Sequence, residues 1–454
     1  MNNFFKVSHR SSKSKARLGE IHSDHGVVKT PAFLAAATKG TIKTLTPQQV
    51  KEIGIQGSCV NTYHLVTHPG ADIIEKAGGI QKYSNLDIFT MSDSGGFQVF
   101  SLARTEKARS HKFLSLLEPL RSREVQSRKN LGISPSQNET RKADVRGEEE
   151  PFLVKISEDG VKFRSTFDGT LIEFTPEKSM EFQRKIGADI NMAFDECTYY
   201  PATHEYAEKA MSRTHEWLKR CIKYKVSSQN FLSPVGTLPA GSGESQVAKN
   251  SGHSPLPSNQ VTHNQFLYGI IQGGIFEDLR KKSAEFVVSQ GTPGIAIGGV
   301  SVGETKAEMR DQVRWVSNYL PKDRPVHLLG VGQIDDIIEL VKYGIDTFDC
   351  VEPTRLARMG TIYQGGPLHP ESEKNLRPSL SQQIDINKSI YKNNFEKVDV
   401  DCECYVCKNF TKSYLHHLFK QREILGYTLA TFHNLWVMEK LFEGIRERIN
   451  RDLI

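Results

Sequence analysis

Outside a few polar tracts, short apolar runs ending in glycine or polar residues alternate with segments whose apolar positions recur at helical period. The runs are PAFLAAAT (31–38), SCVNTYHL (58–65), IFTMSDSGG (88–96), DINMAFDE (189–196), FLYGIIQGG (266–274), GIAIGGVSVG (294–303), PVHLLGVG (325–332) and IDTFDCVEP (345–353). The helical segments include 46–54, 175–187, 205–224, 305–320 and 333–344. Thr175 and Thr305 stand at N-cap positions, and only Thr305, with Glu308 three residues on, completes the pattern of a capping box. Eight strand-then-helix units predict a (β/α)₈ barrel, although a doubly wound open sheet would alternate similarly. A barrel places its site at the C-terminal ends of the strands. Polar residues gather at those ends: Asn61, His64, Asp93, Asp195, Gln272, Ser301 and Asp349. The glycine pairs of IQGG and IGGVSVG depart from G-x-G-x-x-G, so no nucleotide cofactor is expected.

Two tracts change the picture of organisation. Residues 104–150 are dense in Arg, Lys, Glu and Ser, and residues 226–264 are rich in Ser, Gly, Asn and Pro. Neither has the apolar surface to offset its ordering entropy, so both are predicted to be long inserted loops. A third polar stretch, 364–400, leads into a cysteine cluster. The expected organisation is a barrel core over 1–363 and a zinc-binding subdomain with C-terminal helices over 364–454. The chain has 454 residues and a formal charge of +6, a mild bias toward polyanionic partners. Its seven cysteines are odd in number and no signal-peptide pattern opens the chain, which predicts a reduced, cytoplasmic protein. No apolar run approaches the ~20 residues that span a bilayer.

Candidate chemistry concentrates in a cysteine cluster, three acidic groups and a pair of arginines. Cys402-x-Cys404-x-x-Cys407, followed by His433, offers three thiolates and an imidazole, a closed tetrahedral set for structural Zn²⁺, with His416 and His417 as rival fourth ligands. Asp93 lies in the turn Ser92-Asp-Ser-Gly-Gly96, where it could cap its own loop or act on a ligand. Asp349 lies between Phe348 and Cys350, with Asp346 as the competing carboxylate, and Asp195 with Glu196 forms a third acidic group. Two carboxylates facing one site can divide the roles of nucleophile and general acid at a glycosidic bond. Arg355 and Arg358 stand three apart, as a phosphate clamp or a solvated pair.

These residues also carry a family resemblance. NTYHL with Pro69-Gly70, SDSGGFQV, FRSTFDGT, TPEK, MAFDECT followed by PAT, IIQGG, IGGVSVGE, LLGVG and FDCVEPTRLAR stand in order. The likeness continues through Cys402, Cys404 and Cys407 to SYLHHL, REILG and FHN. In this ordered set the chain closely resembles the tRNA-guanine transglycosylases of queuosine biosynthesis, from about Thr30 to the C-terminus apart from the insertions. The resemblance implies an irregular (β/α)₈ TIM barrel with an inserted C-terminal zinc-binding subdomain, commonly in a homodimer. It implies Asp349 as the nucleophile at the ribose of the wobble guanosine and Asp93 as general acid/base. Asp195, Gln272 and the Gly299 backbone would recognise the base, Phe97 and Leu329 would sandwich it, and Arg355 and Arg358 would contact anticodon-loop RNA.

The implied reaction replaces the wobble guanine of GUN-anticodon tRNAs (those for Asp, Asn, His and Tyr) by a 7-deazaguanine base, through a covalent aspartyl–ribosyl intermediate. LAAAT stands where a proline–valine–glycine string is usual, Ser301 replaces the commoner bacterial alanine, and Leu329 a common methionine. Cys197 and Val302 resemble the bacterial pattern, which favours the aminomethyl base preQ1, with the Val300 carbonyl as acceptor of its cationic arm and Glu304 placed to support that peptide. Queuine salvage is the alternative base assignment. A non-catalytic tRNA-binding homologue and an enzyme disabled by its insertion are the alternatives to catalysis.

Overall fold

The computed structural model describes residues 4–97, 153–165, 167–232, 264–365 and 383–454. Eight parallel strands close into a barrel in sequence order. Numbered around it, they are β1 (Ala32–Ala36), β2 (Gly57–Asn61), β3 (Phe89–Asp93), β4 (Ile190–Met192), β5 (Phe266–Ile271), β6 (Gly294–Ile297), β7 (Val326–Leu328) and β8 (Thr347–Cys350). Pairing of β8 with β1 completes the ring and excludes the open sheet. Each predicted apolar run overlaps one of these strands; seven contain theirs whole, while Gly57–Asn61 begins one residue before its run and passes directly into the helix Thr62–Thr67.

The period-two pattern divides the apolar side chains into two shells. Leu34, Met91, Met192, Tyr268, Ile270 and Ala296 pack together in one buried cluster with Phe4, Ile21 and Val28 of the N-terminal segment. Their strand neighbours Phe33, Leu267, Ile271, Ile297 and Phe348 belong to the larger cluster shared with the helices. The N-terminal segment forms an antiparallel sheet of Phe5–Arg10, Arg17–Ser23 and Gly26–Thr30. It covers the end of the barrel where strands begin: Phe4 stacks on Phe266, the first residue of β5, at 3.8 Å. The opposite end, where the strands finish, is left for the site.

Helices Pro47–Ile53, Pro176–Ile186, His204–Leu232, Glu277–Ser289, Lys306–Val316, Ile334–Leu340 and Glu352–Met359 follow the strands. Thr305 and Glu308 form the expected capping box, while Thr175 caps through the Lys178 N–H alone. Thr46 and Gln49 form a second box. One boundary is corrected: a loop was expected from 226, yet the helix begun at His204 continues to Leu232. Ser and Gln do not by themselves break a helix. The first breaker is Pro234, which disfavours helix at the residue before it. The 104–150 insertion, residues 233–263 of the other insertion and residues 366–382 of the third polar stretch lie outside the described residues.

After β8 the chain leaves the barrel. It passes through Glu352–Met359, a two-stranded sheet of Thr361–Tyr363 with Gln383–Asp385, and the helices Tyr405–Asn409 and Lys412–Gln421. The long helix Ile424–Asn450 then returns to the barrel wall. Its Phe442 packs on Phe348 of β8 at 5.7 Å and on Phe33 of β1 at 6.2 Å, over the seam where the barrel closes.

Candidate active site

A cavity of about 570 Å³ opens at the C-terminal ends of the strands and is lined by Asp93, Asp195, Gln272, Gly299, Val300, Leu329, Phe97, Asp349 and Arg355. Asp93 is the last residue of β3, and strand register sets Asn61 of β2 directly beside it. Asn61 Nδ2 donates to Asp93 Oδ2, while the Thr62 and Gly95 N–H groups donate to Oδ1 at 3.0 and 3.1 Å. The Gly95 bond caps the turn from within, and the carboxyl nonetheless faces the cavity. Burial pushes the Asp93 carboxyl up to about 7; the two backbone N–H bonds oppose that shift, and repulsion from Asp349 and Asp195 adds to it. Asp93 therefore holds a proton near neutral pH where an ordinary aspartate does not.

The polar floor is built from two strand ends. Asp195, just after β4, accepts from Ser94 Oγ at 2.7 Å and from Gln272 Nε2 at 2.7 Å. Burial raises its pKa, and the two hydrogen bonds hold the ionised form against that shift. With its amide nitrogen committed to Asp195, Gln272 has a buried Oε1 without a protein partner. Its backbone is fixed as well, since the Gln272 N–H donates to Ser283 Oγ at 3.1 Å and Ser283 Oγ meets His215 Nε2 at 3.0 Å. A Cβ at Gly299 would lie 2.2 Å from Gln272 Oε1, and its φ of +61° suits glycine, so no other residue fits this wall without movement. Glu304 accepts from the Ser301 and Val302 N–H groups at 2.5 and 2.9 Å.

The opposite wall carries Asp349. Because β8 alternates, Thr347 and Asp349 point away from the face that Phe348 turns to the long helix. His327 of β7 joins the pair, with Nδ1 2.9 Å from Thr347 Oγ1 and Nε2 3.2 Å from Asp349 Oδ1. The Gly330 N–H also donates to Asp349 Oδ1 at 3.0 Å. Two rival carboxylates are now placed elsewhere. Asp346 is fully buried before β8, in a two-point pair with Arg17 at 2.9 and 2.6 Å, and accepts from the Val326 N–H at 2.7 Å. Glu196 turns from the cavity to Arg213 and Tyr206. Both are structural acids.

The rim is basic and partly aromatic. Phe97 is half exposed, and Leu329 lines the cavity beside the glycine wall. Arg355 lines the mouth, and Arg358 donates from Nη1 to the Thr354 carbonyl at 2.7 Å. Lys39 and Lys43 stand nearby: burial lowers the Lys43 pKa, and the charges of Arg358 and Lys39 lower it further. Burial and these two lysines bring His64 down to about 4, so it is neutral at physiological pH.

Away from the cavity, Cys402, Cys404, Cys407 and His433 are all buried with ligand atoms within 4.8 Å of one another. His433 Nδ1 lies 3.5 Å from Cys404 Sγ and 3.3 Å from Cys407 Sγ. Tetrahedral zinc with bonds of ~2.0–2.3 Å sets its ligands roughly 3.3–3.8 Å apart, so the four can hold one metal ion and the donor set suits zinc. His433 Nε2 donates to the Tyr363 carbonyl at 2.8 Å, which leaves Nδ1 free to face the thiols. His416 instead donates Nδ1 to the Ile386 carbonyl at 2.7 Å, and His417 is exposed outside the cluster, which removes both rivals.

Comparison with known proteins agrees with this arrangement. A queuine tRNA-ribosyltransferase family model matches residues 11–129 and 144–454. The chain belongs to this family. The queuine tRNA-ribosyltransferase of Caldanaerobacter subterraneus subsp. tengcongensis is 38% identical over 448 residues, covering 99% of this chain and 94% of the relative. Those of Desulforamulus reducens and Synechococcus elongatus are each 36% identical, covering 98% and 99% of this chain and 94% and 91% of the relatives.

Within this family member, several contacts to the candidate carboxylates escaped sequence reasoning. Asn61 was noted only as a polar strand end, and its place beside Asp93, 32 residues away in sequence, follows from register between the two strands. His327 sits inside an apolar run, PVHLLGVG, where a lone polar residue is a detectable signal without a partner named. Lys39 and Lys43 belong to a loop whose position only the closed barrel sets.

Proposed function

We propose that this chain exchanges the wobble guanine of GUN-anticodon tRNAs for preQ1 through a covalent intermediate on Asp349. Membership of the family makes it a pentosyltransferase of tRNA queuosine biosynthesis. The observation that carries the finer reading is the pair of carboxyls on one cavity, Asp93 protonated near neutrality and Asp349 held by His327 and the Gly330 amide.

In the proposed first half, an Asp349 oxygen bonds to C1′ of the ribose as the bond to guanine breaks, and Asp93 delivers a proton to the departing base. In the second, Asp93 removes a proton from the incoming base, whose nitrogen bonds to C1′ and releases the Asp349 carboxylate. Positive charge develops on the sugar in both steps, and a carboxylate on one face stabilises it. The base must first leave its stack, and Phe97 with Leu329 supplies apolar faces to receive it. Asp195 accepts from the guanine-type N1 and N2 donors. Gln272 Nε2 gives one hydrogen to Asp195 and keeps a second for O6, while its unpartnered Oε1 offers an acceptor. Arg355, with Lys39, Lys43 and Arg358 behind it, supplies positive charge for anticodon-loop phosphates.

The preference for preQ1 rests on one peptide. Its Ser301 N–H points to Glu304, so the trans Val300 carbonyl points the other way, and Val300 lines the cavity. That carbonyl would take the cationic aminomethyl arm, while Cys197 and Val302 close the space a cyclopentenediol would need. Zinc at Cys402, Cys404, Cys407 and His433 would be structural, one per chain. We also infer a homodimer, as the family resemblance implies, and a reducing cytoplasmic compartment, which cysteines without a disulfide suit; sedimentation tests the assembly.

Incubation with tRNA and radiolabelled guanine tests the activity: wild type incorporates label and forms a denaturation-resistant protein–RNA adduct. Asp349→Asn is expected to lose both while still binding tRNA, because the removed charge acts as the bond breaks. An active Asp349→Asn enzyme would exclude the covalent route through this residue. Competition of preQ1 and queuine against labelled guanine decides between the two bases; equal or better inhibition by queuine would make this a salvage enzyme.

A further inference from the structure

Arg280, in helix Glu277–Ser289, is completely buried behind the base cavity, and its hydrogen bonds go to uncharged oxygens. They are the carbonyls of Gly274, Gly298 and Gly299, at 2.7, 2.6 and 2.7 Å, the Ile271 carbonyl at 3.4 Å, and the side-chain Oε1 of Gln312. Gln312, in helix Lys306–Val316, is also completely buried. A guanidinium only donates, so Gln312 must show it the amide oxygen and turn its NH₂ to the other side. There, Nε2 stands 3.4 Å from Glu304 Oε1. Glu304 in turn receives the Ser301 and Val302 N–H groups. The network thus grips one loop twice. Arg280 holds the carbonyls of 298–299, Glu304 holds the amides of 301–302, and the Val300–Ser301 peptide lies between.

We propose that Gln312 is a positioning residue for base selection: by joining Arg280 to Glu304 it holds the Val300–Ser301 peptide with its carbonyl turned away from Glu304, as an acceptor for a base bearing a cationic arm. The inference rests on reading the cavity as a preQ1 pocket. A donor facing Glu304 keeps that carboxylate an acceptor for both amides. Without it, Glu304 loses one of the contacts that fix its rotamer, and the peptide loses the partner that sets its polarity. Guanine has no cationic arm and draws nothing from that carbonyl, so the effect separates the two bases. A purely structural role, satisfying buried polar groups, would not separate them.

The test compares kcat/KM for preQ1 and for guanine, with the same tRNA, in wild type and Gln312→Met. Methionine keeps the length of the side chain but neither donates to Glu304 nor accepts well from Arg280. The ratio for preQ1 over guanine is expected to fall at least about tenfold, chiefly through the KM for preQ1. An unchanged ratio, or an equal loss for both bases, would overturn the proposal. Should circular dichroism show Gln312→Met unfolded, Gln312→Asn keeps the amide but shortens its reach and carries the same expectation. A wild-type enzyme that exchanges guanine and takes no preQ1 overturns the base assignment itself, before any variant is compared.

Discussion

Environment separates aspartates that look alike in sequence. Asp346 and Asp349 are three residues apart, yet one is locked to Arg17 and the other faces the cavity. Asp93 differs again, because burial raises it to about 7. A raised acid keeps its proton below that value and loses it above, so the donor form of Asp93 disappears as pH rises through about 7. Single-turnover release of labelled guanine from tRNA is therefore expected to slow above neutrality, approaching tenfold per pH unit if proton delivery limits the rate. A profile flat from pH 6 to 9 would remove Asp93 as the proton donor in that step. His64, neutral at these pH values, does not contribute a competing limb.

At the scale of elements, the N-terminal sheet acts as a plug, and one of its polar anchors is the ion pair of Arg17 with Asp346. Arg17 reaches Asp346 and also donates to the carbonyls of Pro321, Lys322 and Arg324 at 3.0, 2.9 and 2.8 Å. Both charges are almost fully buried, so removing one strands the other. Arg17→Met is expected to destabilise the chain by about 3–5 kcal/mol in urea unfolding. A loss under ~1 kcal/mol would mean that the pair is solvated or replaced. The anchor lies at the strand starts, so guanine exchange by the folded fraction should change little.

The whole molecule is tied together by the long helix Ile424–Asn450. It carries His433 at one position and Phe442, over the β8–β1 seam, nine residues further on. Metal binding and barrel closure therefore share one rigid element. Cys404→Ser is expected to release the metal, and structural zinc contributes roughly 10–16 kcal/mol of apparent binding in small peptides. Metal analysis should give about one zinc per wild-type chain, and chelation should lower the melting temperature and, with it, exchange activity. A chelated chain with an unchanged melting curve would show that the Cys₃His cluster is not what holds this end together.

Local rules determined much of this protein. Apolar runs of the right length specified eight strands, helix periodicity specified the segments between them, and three cysteines in six positions specified a metal-type cluster, because each signal lies within a few residues of chain. The polar residues at the ends of the runs already named Asp93, Asp195, Gln272 and Asp349. Tertiary structure decided what those residues do to one another. Register between strands set Asn61 against Asp93 and His327 against Asp349, and tertiary packing brought Lys39 and Lys43 within electrostatic reach of one another and of Arg358. It chose Asp349 over Asp346 for the cavity and His433 over His416 for the cluster, since strand pleat and helix packing, not residue type, fix where a side chain points. Desolvation, which raises Asp93 toward neutrality, is a property of the closed cavity, and no stretch of sequence contains it.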